Sequence, residues 1–468
     1  MTKFPFDRKI FTLLIMMGLI VVGHLASGQT ERVETDNRKK EFILQTDETL
    51  GGLRWKGLVK DIEESRESRR VWFKNDQLTP QGDSLVSMIQ NLRYYGLLPK
   101  NYHISELETL LKPSKDLKSI FRLDVLLTDA FFSIAYDLKN GRTESNASSE
   151  NDSLLVLLLD QAIKSGNIIL SLEQQEPNYI DYYALKQALS VLIGRLEENQ
   201  KAQVLKGIAM DSLPLQKQIV DIEVNLERWR QEKQPFKGTY ILVNLPSFML
   251  EVITHDTVLF ESRVIVGTPR TPTPVLSSLL ECFITYPYWH VPRSIATSEL
   301  LPKLKTDPSY LARNNFQVLD VKGNLLDARS IDWPDYTKSN FPFVLRQQEG
   351  SANALGIIKF VFENPYSVYL HDTNAKNLFK NEFRALSHGC VRVEKAEALA
   401  HLLATGKLDT LSPLVEKYLN KKQRNTVELP QAIPIYVRYL TCEYKHGKLY
   451  QYKDIYKKDD KILQALDQ

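Results

Sequence analysis

The chain has 468 residues, 43% of them hydrophobic and 25% charged, which is room for two or three domains of ordinary globular composition. A formal net charge of only +3 excludes the strongly basic face by which nucleic-acid binding shows itself. Three cysteines, Cys282, Cys390 and Cys442, are too few for a disulfide-built scaffold.

Lys3, Arg8 and Lys9 precede an uncharged run over 10–25, and Ala26-Ser27-Gly28 supplies small residues suited to cleavage. Residues 1–28 therefore read as a secretory signal peptide. The alternative is an uncleaved anchor, for which the run is short against a span of about 20 apolar residues. Export leads to an oxidising compartment in which an unpaired thiol needs a reason; Cys282 and Cys442 are open either to pairing or to burial as free thiols.

Residues 29–70 are polar. Beyond them Leu85, Met88, Ile89 and Leu92 recur at helical spacing between Asp83 and Gly96, a start and a stop for one helix. Residues 117–138, with Val125, Leu126, Phe132, Ile134 and Tyr136, predict a core helix that Asn140-Gly141-Arg142 breaks. Helical patterns follow at 154–163, 182–196 and 215–229, so residues 71–235 are expected to form a helical scaffold domain.

At Gly238 the period changes. Residues 239–243 and 248–253 predict a hairpin around Asn244-Leu245-Pro246-Ser247, and strand-like runs follow at 259–266, 280–286, 357–362, 367–370 and 435–444. The expectation is an α+β chain whose β-rich second domain spans 236–468. Within it, 294–343 is more helical and polar, punctuated by Pro302, Pro308, Pro334 and Pro342, and predicts an insertion of the kind that serves as an active-site lid.

The residues able to carry chemistry are Tyr369-Leu370-His371-Asp372-Thr373 and Ser387-His388-Gly389-Cys390-Val391-Arg392. An imidazole beside a thiol favours the thiolate, the reactive form, and His371 and His388 are both candidates. Gly389 permits a tight turn that aims neighbouring amides at one point. Four of these residues, His371, Asp372, His388 and Cys390, are also zinc-ligand types, the basis of a competing reading as a metal-dependent peptidase, but no HExxH or paired CxxC accompanies them. His103, His255, His290, His401 and His446 stand outside any constellation and are expected to be packed or solvated. Tyr286, Tyr288 and Trp289 read either as packing or as the lining of a groove.

Ser387-His388-Gly389-Cys390-Val391-Arg392, with His371 upstream, resembles the active-site signature of the YkuD-type L,D-transpeptidases. Asn353-Ala354-Leu355-Gly356, Lys359-Phe360 and Leu370-His371-Asp372-Thr373 resemble the large YcbB-related branch of that family, as does Leu127-Thr128-Asp129-Ala130 with Gly141-Arg142 in the scaffold. Glu349 and Ser351 depart from the proline-glycine-proline turn of the family pattern, and residues 144–213 match no separate glycan-binding module. The resemblance implies a periplasmic enzyme without metal or organic cofactor that forms 3→3 peptidoglycan cross-links. Cys390 would attack a tetrapeptide stem, release D-alanine and pass the thioester to a second stem's amine.

In that scheme His371 is general base and imidazolium partner, oriented by the Asp372 carbonyl. His388 is a second catalytic candidate or a loop residue, Gly389 and Cys390 supply oxyanion amides, Ser387 binds substrate, and Arg392 either binds the donor stem's carboxylate or makes a structural ion pair. Stem peptides are the implied partners, with a glycan polymerase or a D,D-carboxypeptidase as protein partners. The same acyl-enzyme would serve hydrolysis or attachment of a D-amino acid or protein, and a non-catalytic wall-binding protein is the remaining alternative.

Overall fold

The structure, a computed structural model, describes residues 47–66, 70–112, 116–143, 149–206, 213–234 and 236–467. The expected signal at 1–28 and much of the polar segment after it lie outside the described residues. The described chain forms two compact units. One comprises residues up to Gln90, Pro99–Tyr136 and the stretch ending at Gln174; the other comprises Asn91–Leu98, residues 137–143 and Gln175 onward.

The first unit is helical, with Lys56–Ser65, Pro80–Gln90, Ile104–Leu110, most of Leu117–Asn140, Ser149–Ser165 and Ile168–Glu173. It has one ribbon, β1 (Phe73–Lys74) against β2 (Gln77–Leu78). Leu123, Leu126, Leu127, Ala130, Phe131 and Phe132 are buried all round the long helix, as befits a core helix. Its buried polar residues satisfy neighbouring backbone. Asp124 accepts from the amides of Val71 at 3.0 Å and Trp72 at 2.8 Å, Thr128 Oγ1 accepts from Trp72 Nε1 at 3.0 Å, and Asp129 accepts from the Trp55 amide at 2.6 Å.

In the second unit, helices Ile180–Lys206 and Leu213–Arg230 pack Leu185, Leu189, Ile222, Leu226 and Trp229 with Leu440 and Cys442. The strands are β3 (Thr239–Asn244), β4 (Met249–Thr254), β5 (Thr257–Gly267), β6 (Leu276–Thr285), β7 (Trp289–His290), β8 (Phe316–Leu319), β9 (Leu325–Leu326), β10 (Val344–Gln347), β11 (Ile358–Phe362), β12 (Leu370–His371), β13 (Ala385–Ser387), β14 (Val391–Val393), β15 (Asn425–Arg438), β16 (Cys442–Lys445) and β17 (Lys448–Gln451). Nine of them pair in the order β13-β5-β14-β12-β11-β6-β15-β3-β4, and β4 pairs back on β5. The sheet therefore closes on itself, with β13 as an appendage.

Strand alternation sorts the residues of β11, β12 and β14. Ile358, Phe360, Leu370, Val391 and Val393 join the main core with Leu399 and Leu402 of helix Ala396–Thr405, which leaves Lys359, His371 and Arg392 for the opposite face. The insertion has its own four-stranded sheet, β7-β10-β8-β9, and its own core of Val291, Leu300, Leu304, Val318, Trp333, Phe341 and Leu345. No described helix is long and apolar enough to cross a membrane.

Candidate active site

The two halves of the site meet because β12 and β14 run parallel, with Leu370 opposite Val391 and His371 opposite Arg392. The Val391 amide donates to the Tyr369 carbonyl at 3.1 Å, which carries the register back to Tyr369 beside Cys390. With a side-chain period of two, Tyr369, His371, Cys390 and Arg392 all project from one face. His371 and Cys390 are diagonal neighbours there, about 7–8 Å apart at the backbone, which an imidazole and a thiol can span.

His371 is buried, and its Nδ1–H donates to the Asp372 carbonyl at 2.5 Å. A proton held at Nδ1 leaves Nε2 as the free lone pair. Asp372 is fixed in turn: its carboxylate accepts from the Ile357 amide at 3.0 Å and from Lys376. Burial first, and then the positive charges of Arg392 and Lys359, lower the pKa of the His371 ring to about 3. Both effects favour the neutral imidazole over the imidazolium that the family resemblance implies.

Burial likewise pushes the Cys390 thiol above its ordinary range, opposed by hydrogen bonds from the Tyr369 amide and hydroxyl and by the charges of Lys359 and Arg392. The thiol's hydrogen-bond partners are Tyr369 and, at 4.0 Å, the Ser367 carbonyl. The Tyr369 hydroxyl lies between Cys390 and Trp289, with which it also hydrogen-bonds, and the Lys359 ammonium sits 3.9 Å from the Tyr369 ring centre. The sequence reading gave Tyr369 and Lys359 no individual role and left Trp289 between packing and the lining of a groove. The signal for the first was its i, i+2 spacing from His371 on a strand.

Gly389 has φ +118°, a region L side chains avoid. Its amide donates to Ser387 Oγ at 3.1 Å, and that hydroxyl donates to the Cys390 carbonyl at 2.5 Å. Two consequences modify the expected roles. Ser387 is buried and its hydroxyl is spent bracing the loop from within, so it is not placed to meet substrate. The Gly389 amide is engaged too, which leaves the Cys390 amide as the oxyanion donor the loop can offer. Thr273 Oγ1 adds a hydrogen bond to the Gly389 carbonyl at 2.8 Å.

His388 turns outward, half exposed, and pairs through Nε2 with Glu299 of the insertion. It joins the loop to the insertion and stands apart from the Cys390–His371 face. Arg392 is partly buried, and its Nε has no hydrogen-bond partner among the described residues. Tyr286 packs in the main core, while Tyr288 faces Arg346 and Arg424 at 4.8 and 5.5 Å.

The four zinc-ligand candidates do not converge: His388 faces Glu299 and the Asp372 carboxylate faces Ile357 and Lys376. Among the described residues one group has metal-ligand spacing, Glu397, His401 and Glu416. There His401 Nδ1 accepts the Ser412 amide at 3.0 Å, which puts the ring proton on Nε2, 3.3 Å from Glu416. That distance is an ion-pair approach only: Nε2 makes no hydrogen bond among the described residues. All three cysteines are free.

Residues 238–416 match the family described as the L,D-transpeptidase catalytic domain, YkuD, and residues 58–189 match the family described as a scaffold domain. A Haemophilus influenzae protein named "Putative L,D-transpeptidase" is 29% identical over 423 residues, covering 88% of this chain and 80% of its own. Two solved structures align at 14% identity over 43% of this chain. The Ldtfm-avibactam carbamoyl enzyme has a TM-score of 0.20 with 49% of its own chain covered, and Mycobacterium tuberculosis L,D-transpeptidase 1 a TM-score of 0.17 with 61% covered.

Proposed function

Because the chain carries a YkuD-type L,D-transpeptidase catalytic domain at residues 238–416 and a scaffold domain at residues 58–189, we propose that it joins peptidoglycan stems by 3→3 cross-links through a Cys390 thioester. The observation that carries this reading is the parallel β12–β14 register, which sets Cys390 and the Nε2 lone pair of His371 on one face.

As the sulfur attacks the carbonyl of the third stem residue, His371 Nε2 takes the thiol proton. A buried thiol and a buried neutral imidazole avoid a desolvated ion pair until the substrate closes the site. The Cys390 amide faces the developing oxyanion. The C–N bond to D-alanine then breaks, and His371 returns its proton to the leaving amine. An acceptor amine attacks the thioester, loses its proton to His371 and regenerates the thiol, so one peptide bond is exchanged for another without ATP. Tyr369 holds the sulfur in place, and Arg392, buried at Nε without a partner, suits a donor carboxylate. Donor and acceptor both belong to the cell wall, which makes the N-terminal run at 10–25 an export signal and the cell envelope the place of action. On this reading 294–343 serves as the cover of the site.

The test is intact-protein mass spectrometry with a tetrapeptide muropeptide. Wild-type protein is expected to gain the mass of the stem less D-alanine, and Cys390→Ala to gain none while melting at the same temperature. A cross-linked product formed by the alanine variant would overturn the assignment.

A further inference from the structure

The face that carries Cys390 holds more positive charge than the protein itself neutralises. Lys359 pairs with His371 across β11 and β12, and His371 with Arg392 across β12 and β14, so the three side chains stand in one row, about 4.8 Å apart from strand to strand. In the other direction the row runs through Ile284 to Thr426, and Arg424 lies two residues before Thr426. Arg424 and Arg346 both lie over Tyr288, at 5.5 and 4.8 Å. Arg346 is opposite His290 in the β7–β10 pair, and its Nε and Nη2 both donate to the amide oxygen of Gln317, at 3.0 and 2.6 Å.

None of Arg346, Lys359, Arg392 and Arg424 has a carboxylate within 4.0 Å among the described residues, and Arg392 Nε is buried without any partner. The crowding registers on the neighbours. His290 is lowered by burial and then by Arg346, Lys359 and Arg424; Lys359 is lowered by burial and, against the pull of Cys390, by Arg424. Like charges gathered in a partly dry cleft raise one another's energy. The rings of Tyr288 and Tyr369 offset part of that cost, and an anion would offset the rest.

We propose that Arg346, Lys359, Arg392 and Arg424 form a carboxylate-binding cleft that seats a stem peptide bearing at least two acidic groups beside Cys390. This rests on the reading of Cys390 as the nucleophile toward stem peptides and adds which chemical feature of the stem is recognised. Guanidinium forks suit carboxylates at fixed geometry, and the lysine adds a point charge nearest the sulfur. A seated anion also counters the field of Lys359 and Arg392 on His371, so the imidazole gains basicity when the donor is in place.

Binding is measured by calorimetry in a Cys390→Ala background, with a tetrapeptide stem in its carboxylate form and the same stem with its side carboxyls amidated. The carboxylate form is expected to bind about tenfold tighter at low salt, a preference that 0.5 M NaCl erodes. The Arg346→Gln/Arg424→Gln double variant should bring the two peptides to within about twofold, and Arg346→Lys/Arg424→Lys should keep only part of the discrimination, the charge without the fork. Equal affinities for the two peptides, no binding of either, or a preference that survives in the glutamine variant would overturn the cleft. A carboxylate preference on a protein whose wild type forms no thioester leaves the cleft standing and removes the enzymatic reading; thioester formation with equal binding removes the cleft alone.

Discussion

On the proposed mechanism Cys390 is activated late. Burial pushes its thiol up, and burial with two cations holds the His371 imidazole down to about 3, which disfavours a thiolate–imidazolium pair before substrate arrives. Iodoacetamide alkylation of Cys390 should therefore keep rising with pH through pH 9, with no plateau near neutrality, because only the thiolate reacts. The imidazole titrates too low to add a step between pH 5 and 8. Tyr369 donates a hydrogen bond to the charged sulfur, so Tyr369→Phe removes stabilisation from the thiolate and raises the thiol pKa further. Alkylation at fixed pH should slow by about three- to tenfold, which corresponds to one charge-assisted hydrogen bond at a partly solvated site. Unchanged alkylation in the phenylalanine variant would place the hydroxyl elsewhere.

At the level of elements, the turn before β11 sets the base. Gly356 has φ +60°, and a Cβ there would fall 2.2 Å from an oxygen of Asp372, the residue whose carbonyl holds His371 Nδ1. Gly356→Ala combines left-handed strain with that collision and should cost about 1–3 kcal/mol of stability in urea unfolding. It should also lower acylation far more than stem binding, since the displaced Asp372 turns the imidazole. The glycine was visible in the sequence only as part of Asn353-Ala354-Leu355-Gly356, because its reason is a contact sixteen residues away. The same limit explains what else was and was not legible. A possible cysteine nucleophile at Cys390 was readable from residue types and spacing, with His371 as its partner only through the family resemblance, and the strands near 239–243 and 248–253 were readable from their β-branched and aromatic residues. Lys359 and Tyr369 were not, since membership of the site face depends on strand register. β8 lies within 294–343, which read as more helical, and the first four residues of β15, Asn425 to Glu428, received no strand reading. The run 435–444 read as one strand, where the chain ends β15 at Arg438 and begins β16 at Cys442.

For the whole molecule, helical content and catalytic architecture are divided differently from how the residue pattern suggests. The period changes near Gly238 and the family match begins there, yet helices Ile180–Lys206 and Leu213–Arg230 lie in the same compact unit as the sheet. Their buried face includes Leu185, Leu189, Ile219, Ile222, Leu226 and Trp229, with Leu440 and Cys442 on the other side. Arg230, almost wholly buried, donates to the Tyr95 carbonyl and, at 3.3 Å, to the Tyr182 hydroxyl. Arg438 of β15 ends on Glu232 through two hydrogen bonds. Burial of six such side chains is worth on the order of 10 kcal/mol, comparable with the whole stability of a domain. A fragment spanning 236–467 keeps every residue of the site but uncovers that face, and it is expected to aggregate or to bind a hydrophobic dye strongly. A fragment beginning at Gln175 should stay soluble and melt cooperatively, at a lower temperature than the full chain because Arg230 loses the Tyr95 carbonyl. A soluble, cooperatively melting 236–467 fragment that forms the thioester at the full-length rate would show that the two helices add nothing the sheet needs.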